Sequence, residues 1–179
     1  MQKFLLHTCC APCSIAVIDE LRDKYALTVF FYNPNIYPEA EYKKRKAEVV
    51  KVCEEWQVPM IDLDYNEKDL WNKAIMGFED EEEGGVRFAI CLRFRLAKTA
   101  EYAEKHGFQY WGTSLTSGRN KSAEVIGAIG QAFSHLYKKI KFYNMDWKKG
   151  GRIEKANKMV KERGIYRQNY CGCKYSINK

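Results

Sequence analysis

The stretch Lys3-Phe4-Leu5-Leu6-His7-Thr8-Cys9-Cys10-Ala11-Pro12-Cys13-Ser14 decides how the chain is read. Residues 3–7 are short and apolar, as a buried strand is. Residues 14–24 then space Ile15, Val17, Ile18 and Leu21 as the apolar stripe of a helix, and Pro12 suits the approach to a helix start. A strand, a turn dense in thiols and a helix make the opening unit of an α/β fold. Cys9, Cys10 and Cys13 put three thiols within five positions, which points to metal ligation or thiol redox chemistry rather than packing alone.

Working outward, the pattern repeats. Residues 27–32 read as a second strand, rich in β-branched and aromatic residues. The loop Asn33-Pro34-Asn35-Ile36-Tyr37-Pro38 follows by its punctuation, then a long helix over 39–56 and a short strand over 60–63. A helix at 66–76, the acidic break 80–85 and a helix at 89–106 closed by Gly107 lead to a fourth strand at 109–115. The polar, basic loop 116–121, a helix at 123–137, a candidate fifth strand at 140–143 and a helix at 152–163 complete the chain before the tail 165–179. Strands alternating with helices imply βαβ units. The expected fold is therefore a single Rossmann-like (HUP-like) α/β domain over residues 1–179, its mostly parallel sheet flanked by helices. Ligands of such sheets sit outside the carboxyl ends of the strands. That rule brings the loops 9–13, 33–38 and 114–121 to one crevice.

Composition narrows the classes. With 46% hydrophobic residues in 179, the chain is globular rather than disordered. No apolar run reaches the length of a membrane span, and Phe4-Leu5-Leu6 is too short for a signal-peptide core, so no membrane partner and a cytoplasmic location are expected. In that compartment the seven cysteines, an odd count, are not a disulfide framework. The net charge of +7 favours a polyanion such as nucleic acid, though a solvated lysine-rich surface gives the same number. Four Trp and twelve Tyr could stack on unpaired bases or simply fill the core.

The remaining constellations divide by specificity. Cys10-Ala11-Pro12-Cys13 between a strand and a helix is also the thioredoxin-like signature, which keeps dithiol–disulfide exchange open; the extra thiol of Cys9 stands against it. Cys171-Gly172-Cys173 is a second thiol pair, its Gly letting the backbone fold tightly. Cys91, Cys171 and Cys173 with one front thiol would supply four sulfurs for an iron–sulfur cluster or for zinc. Cys53 reads as core, and His7 equally as a structural residue or as an acid or base. The loop Ser114-Leu115-Thr116-Ser117-Gly118-Arg119-Asn120-Lys121 offers hydroxyls and cations that suit a phosphate, Ser117, Arg119 and Lys121 foremost, without any Walker pattern. Asn33, Asn35, Tyr42 and Arg45 follow the second strand and could read a base or sugar; capping explains Asn equally well.

Several of these stretches resemble one family. Leu-His-Thr-Cys-Cys-Ala-Pro-Cys-Ser (6–14), Phe-Tyr-Asn-Pro-Asn-Ile-Tyr-Pro-Glu-Ala-Glu-Tyr (31–42) continuing to Arg45, Arg-Phe-Arg-Leu-Ala-Lys-Thr-Ala (93–100) and Tyr-Arg-Gln-Asn-Tyr-Cys-Gly-Cys-Lys-Tyr-Ser (166–176) are similar, in order, to the epoxyqueuosine reductase family of the QueH type. The resemblance implies an iron–sulfur oxidoreductase that removes the epoxide oxygen of epoxyqueuosine in the anticodon loop of tRNA, the last step of queuosine synthesis. It implies a [4Fe-4S] cluster beside a single metal ion, read as iron, with the anticodon stem–loop and an electron donor as partners. Cys9 and Cys10 would be catalytic and ligate the single metal, Cys13 completing its shell. Cys91, Cys171 and Cys173 would hold the cluster. One departure stands out: where the family pattern is Arg-Cys-x-x-Cys, this chain reads Arg87-Phe88-Ala89-Ile90-Cys91. Phe cannot ligate iron. Either Cys13 or another group fills in, or one iron is open, or the cluster is not intact.

Overall fold

The central strand β1 (Lys3–Thr8) is buried from Phe4 onward, because both faces of the sheet around it are covered. That is why it reads as a continuous apolar run rather than an alternating one. The computed structural model describes residues 1–63 and 65–177; Asp64 and the last two residues of the tail lie outside the described residues. Elements follow as α1 (Ala11–Arg22), β2 (Ala26–Phe31), α2 (Glu39–Glu55), β3 (Met60–Asp62), α3 (Lys68–Ala74), α4 (Val86–Lys105), β4 (Tyr110–Thr113), α5 (Ala123–Leu136), β5 (Lys141–Phe142) and α6 (Arg152–Glu162).

All four strand pairings are parallel, in the spatial order β3-β2-β1-β4-β5. β1 pairs with β2 in the register Lys3↔Ala26 to Thr8↔Phe31, and with β4 from Phe4↔Tyr110 to His7↔Thr113. The order reverses between β1 and β4, so the crevice of a doubly wound sheet opens between the turns that leave those two strands.

Side chains of each strand alternate between two apolar layers. Phe4, Leu6, Val29 and Phe31 pack with Ile15, Ile18 and Leu21 of α1, with Val49 and Val52 of α2, and with Val160 of α6. Leu5, Phe30 and Trp111 pack with Leu92, Leu96 and Ala100 of α4 and with Ile126 of α5. Each such side chain contributes about 1.5–3 kcal/mol on full burial. The approach of α5 to β5 needs a residue without Cβ at Gly130, where a Cβ would lie 2.4 Å from the Phe142 ring.

Three helices begin or end away from the sequence expectation. α1 starts at Ala11 rather than at residue 14: Pro12 falls in the first turn, where a missing N–H costs no helical bond, so the thiol loop is itself the helix start. α4 starts at Val86 rather than at 89, its entry set by extended Gly85 and by Arg87, which donates to the carbonyls of Phe78 and Glu79. α3 is shorter than the expected 66–76, a 3-10 turn over Tyr65–Glu67 taking its first residues. No helix among the described residues is long and apolar enough to cross a membrane.

Candidate metal centre

Cys9 ends the turn after β1, Cys10 is the extended residue before α1 (φ −168°, ψ 156°), and Cys13 lies in the first helical turn. Reversal of the chain at the helix start turns these neighbouring side chains onto one point: their sulfurs all lie within 4.8 Å of one another, Cys9 to Cys10 at 3.7 Å. This spacing suits a single metal ion held by sulfur. Cys10 is buried; Cys9 and Cys13 are half-buried.

The three thiols cannot all ionise so close together. Hydrogen bonds with Cys10 and then Cys13 hold the Cys9 thiol well below its usual range, against burial, with Arg95 and His7 adding to the effect. At Cys10 a hydrogen bond with Cys13 favours the thiolate, but the bond with Cys9, burial and the Cys9 charge outweigh it and push the thiol up to about 12. Hydrogen bonding with Cys10 and Cys9, and then burial, raise Cys13 as well. Of the three, Cys9 is therefore the thiol that ionises most readily. Gln168 of the tail donates from Nε2 to the Cys10 sulfur at 3.0 Å.

Arg95 is the cation that acts on the Cys9 thiol. It is 3% exposed, and the groups it donates to are neutral: the Cys91 carbonyl at 3.2 Å and Asn33 Oδ1 at 3.4 Å. Among the described residues it meets no carboxylate. A buried guanidinium calls for an anion, and the groups whose charge it acts on are the sulfurs of Cys91, Cys9 and Cys171.

The rear thiols come from distant parts of the chain. Cys91 of α4 and Cys173 of the tail share a small apolar group with Trp71 and Ile75 of the α3 segment. Cys171 is reached across Gly172, whose φ of +139° is open to glycine. The Cys171 sulfur accepts from Lys121 Nζ at 3.0 Å, and the same ammonium lies 4.1 Å from the Phe88 ring centroid. Arg45 ties the tail down. Its guanidinium is buried, pairs with Glu41 at 2.7 Å, and donates to the carbonyls of Cys171 at 3.2 Å and Tyr170 at 3.3 Å. Burial raises the Cys91 thiol. Cys91 and Cys173 share that apolar group, with Cys171 two residues along the tail and buried Arg95 close by, a set of thiols and one cation whose chemistry suits an anionic iron–sulfur cluster, although among the described residues only the front trio brings its sulfurs within 4.8 Å of one another.

His7 is a strut. Nε2 lies 3.1 Å from the Tyr32 carbonyl and Nδ1 3.0 Å from Thr113 Oγ1, which also accepts from Leu115 N–H at 3.1 Å. These contacts assign the proton to Nε2 and bind the ends of β2, β1 and β4 together. Burial, then Arg95, lowers its pKa to about 4, so the ring is neutral with both nitrogens engaged.

The other residues picked from the sequence separate. Asn33 is buried and donates to the Thr8 carbonyl at 2.8 Å, clamping the thiol turn. Asn35 is buried beside the tail, its Nδ2 3.5 Å from where a Cβ on Gly172 would lie. Tyr42 packs in the core against Phe31 and Tyr65, its hydroxyl donating to Asp62 at 3.0 Å. Ser117 is half-exposed in a 3-10 turn and Arg119 is exposed, so only Lys121 of that loop reaches a thiol. Cys53 is core, as expected, and burial pushes its thiol up to about 12. Sequence reading missed Arg95, Gln168 and Trp71. Arg95 had a signal: it follows Cys91 by four residues, hence on the same helix face.

A family model for the epoxyqueuosine reductase QueH matches residues 4–179. The chain belongs to the QueH family of epoxyqueuosine reductases. Members from Histophilus somni, Acinetobacter baylyi and Thermotoga maritima are 38%, 40% and 36% identical to it. These matches cover 98%, 98% and 99% of this chain, and 72%, 80% and 91% of the respective relatives. Among solved structures, the U34-tRNA thiolase NcsA from Methanococcus maripaludis with its [4Fe-4S] cluster superposes with a TM-score of 0.64 at 12% identity. That match covers 98% of this chain and 61% of the thiolase. At that identity the likeness is one of fold, and it agrees with the Rossmann-like sheet expected for this QueH-family chain.

Proposed function

We propose that the chain reduces the epoxide of epoxyqueuosine, in the anticodon loop of tRNA, to the cyclopentene of queuosine. The observation that carries this reading is the convergence of the Cys9, Cys10 and Cys13 sulfurs at the switch point of the sheet, facing buried Arg95. Overall, the epoxide takes up two electrons and two protons, both C–O bonds break, a C=C bond forms and water leaves. An external one-electron donor supplies the electrons. A [4Fe-4S] cluster, when bound, would supply one-electron transfer, and a single metal ion, read as iron, would supply Lewis-acid polarisation.

The chain's residues do the rest. Cys91, Cys171 and Cys173 would hold the cluster, and Cys9 with Cys10 and Cys13 the single ion. Arg95 offsets the negative charge of both thiol groups and, through Asn33, fixes the turn that carries the front one. Gln168 and Lys121 donate to one sulfur of each group. His7 has no free nitrogen and takes no part as a proton donor; it holds the three strand ends in place. The net charge of +7 draws the RNA to the protein.

The test is conversion of epoxyqueuosine-tRNA by anaerobically iron-reconstituted protein with a reductant, read as the loss of one oxygen from the digested nucleoside. Absence of conversion by both this chain and a Phe88→Cys variant would sink the reading. A thiol–disulfide role for Cys10 and Cys13 is favoured by their sulfur proximity but opposed by access, since Cys10 is 1% exposed. That rival requires activity to survive Cys171→Ser.

A further inference from the structure

A cleft of about 340 Å³ lies beside the rear thiols, between the loop after β2 and the start of α3. Its lining includes Asn35, Tyr37, Tyr65, Lys68, Trp71 and Lys174, and none of the front thiols. Trp71 is shared with the apolar group around Cys91 and Cys173, so the cleft and the rear thiols have a common wall.

Three features of the lining call for complementary groups. Asn35 is 3% exposed, yet its Oδ1 has no hydrogen-bond partner among the described residues, so it needs an N–H or O–H donor. Tyr37 is half-exposed and Tyr65 stands at 4.5 Å from the Tyr42 ring, so aromatic rings form one side. Lys68 and Lys174 are exposed at the rim, 5.6 Å from the Tyr65 ring and 4.8 Å from the Tyr175 ring; among the described residues neither has a carboxylate within ion-pair distance. Glu39, the acidic residue of the lining, already pairs with Lys43 at 3.0 Å.

A flat ring bearing N–H donors and linked to an anion satisfies all three at once. We infer that this cleft binds a nucleotide of the substrate's single-stranded loop that flanks the reacting one. Its base lies against the tyrosines and hydrogen-bonds Asn35, and its phosphate sits between Lys68 and Lys174. This rests on the proposed tRNA substrate and adds to it a second anchoring point, built by the same tail that brings Cys171 and Cys173 into the site. Tyr37 N–H donates to the Gly172 carbonyl at 2.8 Å and Tyr170 donates to the Tyr37 carbonyl, so the cleft forms only when the tail is seated.

The experiment measures affinity for an RNA hairpin of anticodon stem–loop sequence, by fluorescence anisotropy across a salt series. It compares the iron-loaded protein with Lys68→Met, Lys174→Met and Tyr37→Ala, all surface changes, and repeats the series with a blunt RNA duplex lacking a loop. Each lysine change is expected to lower the slope of log affinity against log salt by roughly 0.7, the value for a single-strand phosphate contact. Tyr37→Ala is expected to weaken hairpin binding roughly tenfold, the scale of one lost stacked base. Duplex binding and iron content should not change. Hairpin binding by the three variants equal to that of the parent would overturn the cleft while leaving the tRNA reading intact. Equal losses on hairpin and duplex would make the lysines generic charge and overturn it too. Failure of the parent to bind the hairpin even at low salt would remove both.

Discussion

The front and rear thiols solve one problem in opposite ways. Cys9, Cys10 and Cys13 are brought together by five residues of local backbone, one turn between β1 and α1, and their sulfurs lie within 4.8 Å. Cys91 lies 80 residues before Cys171, and the rear thiols are drawn to the same region only through the tail, which is held by Arg45 and Lys121 and by the apolar group of Cys91, Trp71, Ile75 and Cys173. The front group is as stable as the sheet itself. The rear group is as stable as the seating of one irregular segment. Loss of a side chain should therefore act at the front on chemistry and at the rear on assembly.

The largest break in that contrast is Cys9→Ser. Serine keeps the shape of the turn but removes the most readily ionised thiol of the trio. Outer-shell changes at metal sites cost roughly 10- to 100-fold, and loss of a ligand costs more. Conversion of epoxyqueuosine-tRNA should fall by more than about 100-fold while the thermal unfolding midpoint stays near that of the parent. A matching fall in the midpoint would show that the front turn is no more self-supporting than the tail.

Arg45→Met tests the rear. Its guanidinium is 1% exposed, bound to Glu41 and to two tail carbonyls. Removing one member of a buried pair leaves Glu41 without its cation and costs about 3–5 kcal/mol. Denaturant unfolding should show that loss. The variant should also retain less iron than the parent after desalting, with the loss confined to the rear ligands. Unchanged stability and iron would mean that the tail is held by something other than Arg45.

The same contrast explains what could be read from the sequence. Every strand and helix was legible, because apolar period and turn residues are local signals: β1 and β2 fall within a residue or so of the expected bounds. The front trio was legible for the same reason. What failed were boundaries set by tertiary contacts, such as the start of α4, where Arg87 reaches back to the 78–79 carbonyls. Resemblance grouped Cys91 with Cys171 and Cys173, but spacing could not show that Lys121 stands against Cys171 or that Gln168 reaches Cys10. Those contacts join segments 50 and 158 residues apart. Tyr42 illustrates the reverse error of emphasis: a tyrosine after a strand looks like a base reader, whereas its ring lies in the core with its hydroxyl spent on Asp62.

Phe88→Cys sharpens the rear group without breaking it. Phe88 lies one turn before Cys91 on α4, partly buried, with the Lys121 ammonium over its ring. A thiol there adds a ligand on the helix face that already offers Cys91. We expect iron and sulfide retained after anaerobic desalting to rise several-fold, with the front trio unaffected. No rise would mean that three thiolates already hold the cluster fully, or that position 88 does not face it, and the absorption spectrum of the two proteins would separate these cases.

Lys121→Met should give the smallest effect and the most local one. The ammonium donates to the Cys171 sulfur at 3.0 Å and forms no carboxylate pair among the described residues, so its charge is directed at that thiol. A hydrogen bond to a ligating sulfur stabilises the reduced, more negative form of a cluster. Methionine has similar length and no donor, so it keeps the packing against Phe88 and removes the bond. The midpoint potential of the reconstituted protein should become more negative by on the order of 50 mV, equivalent to a tenfold change in a one-electron equilibrium. The unfolding midpoint should move little, because the residue is half-exposed. No shift in potential, with the cluster present, would place Cys171 outside the cluster's ligands and leave the rear group with Cys91 and Cys173. A comparable variant at the front, Gln168→Leu, removes the donor to the Cys10 sulfur and should leave that potential where it is. The pair of measurements thus reports which sulfurs belong to which group.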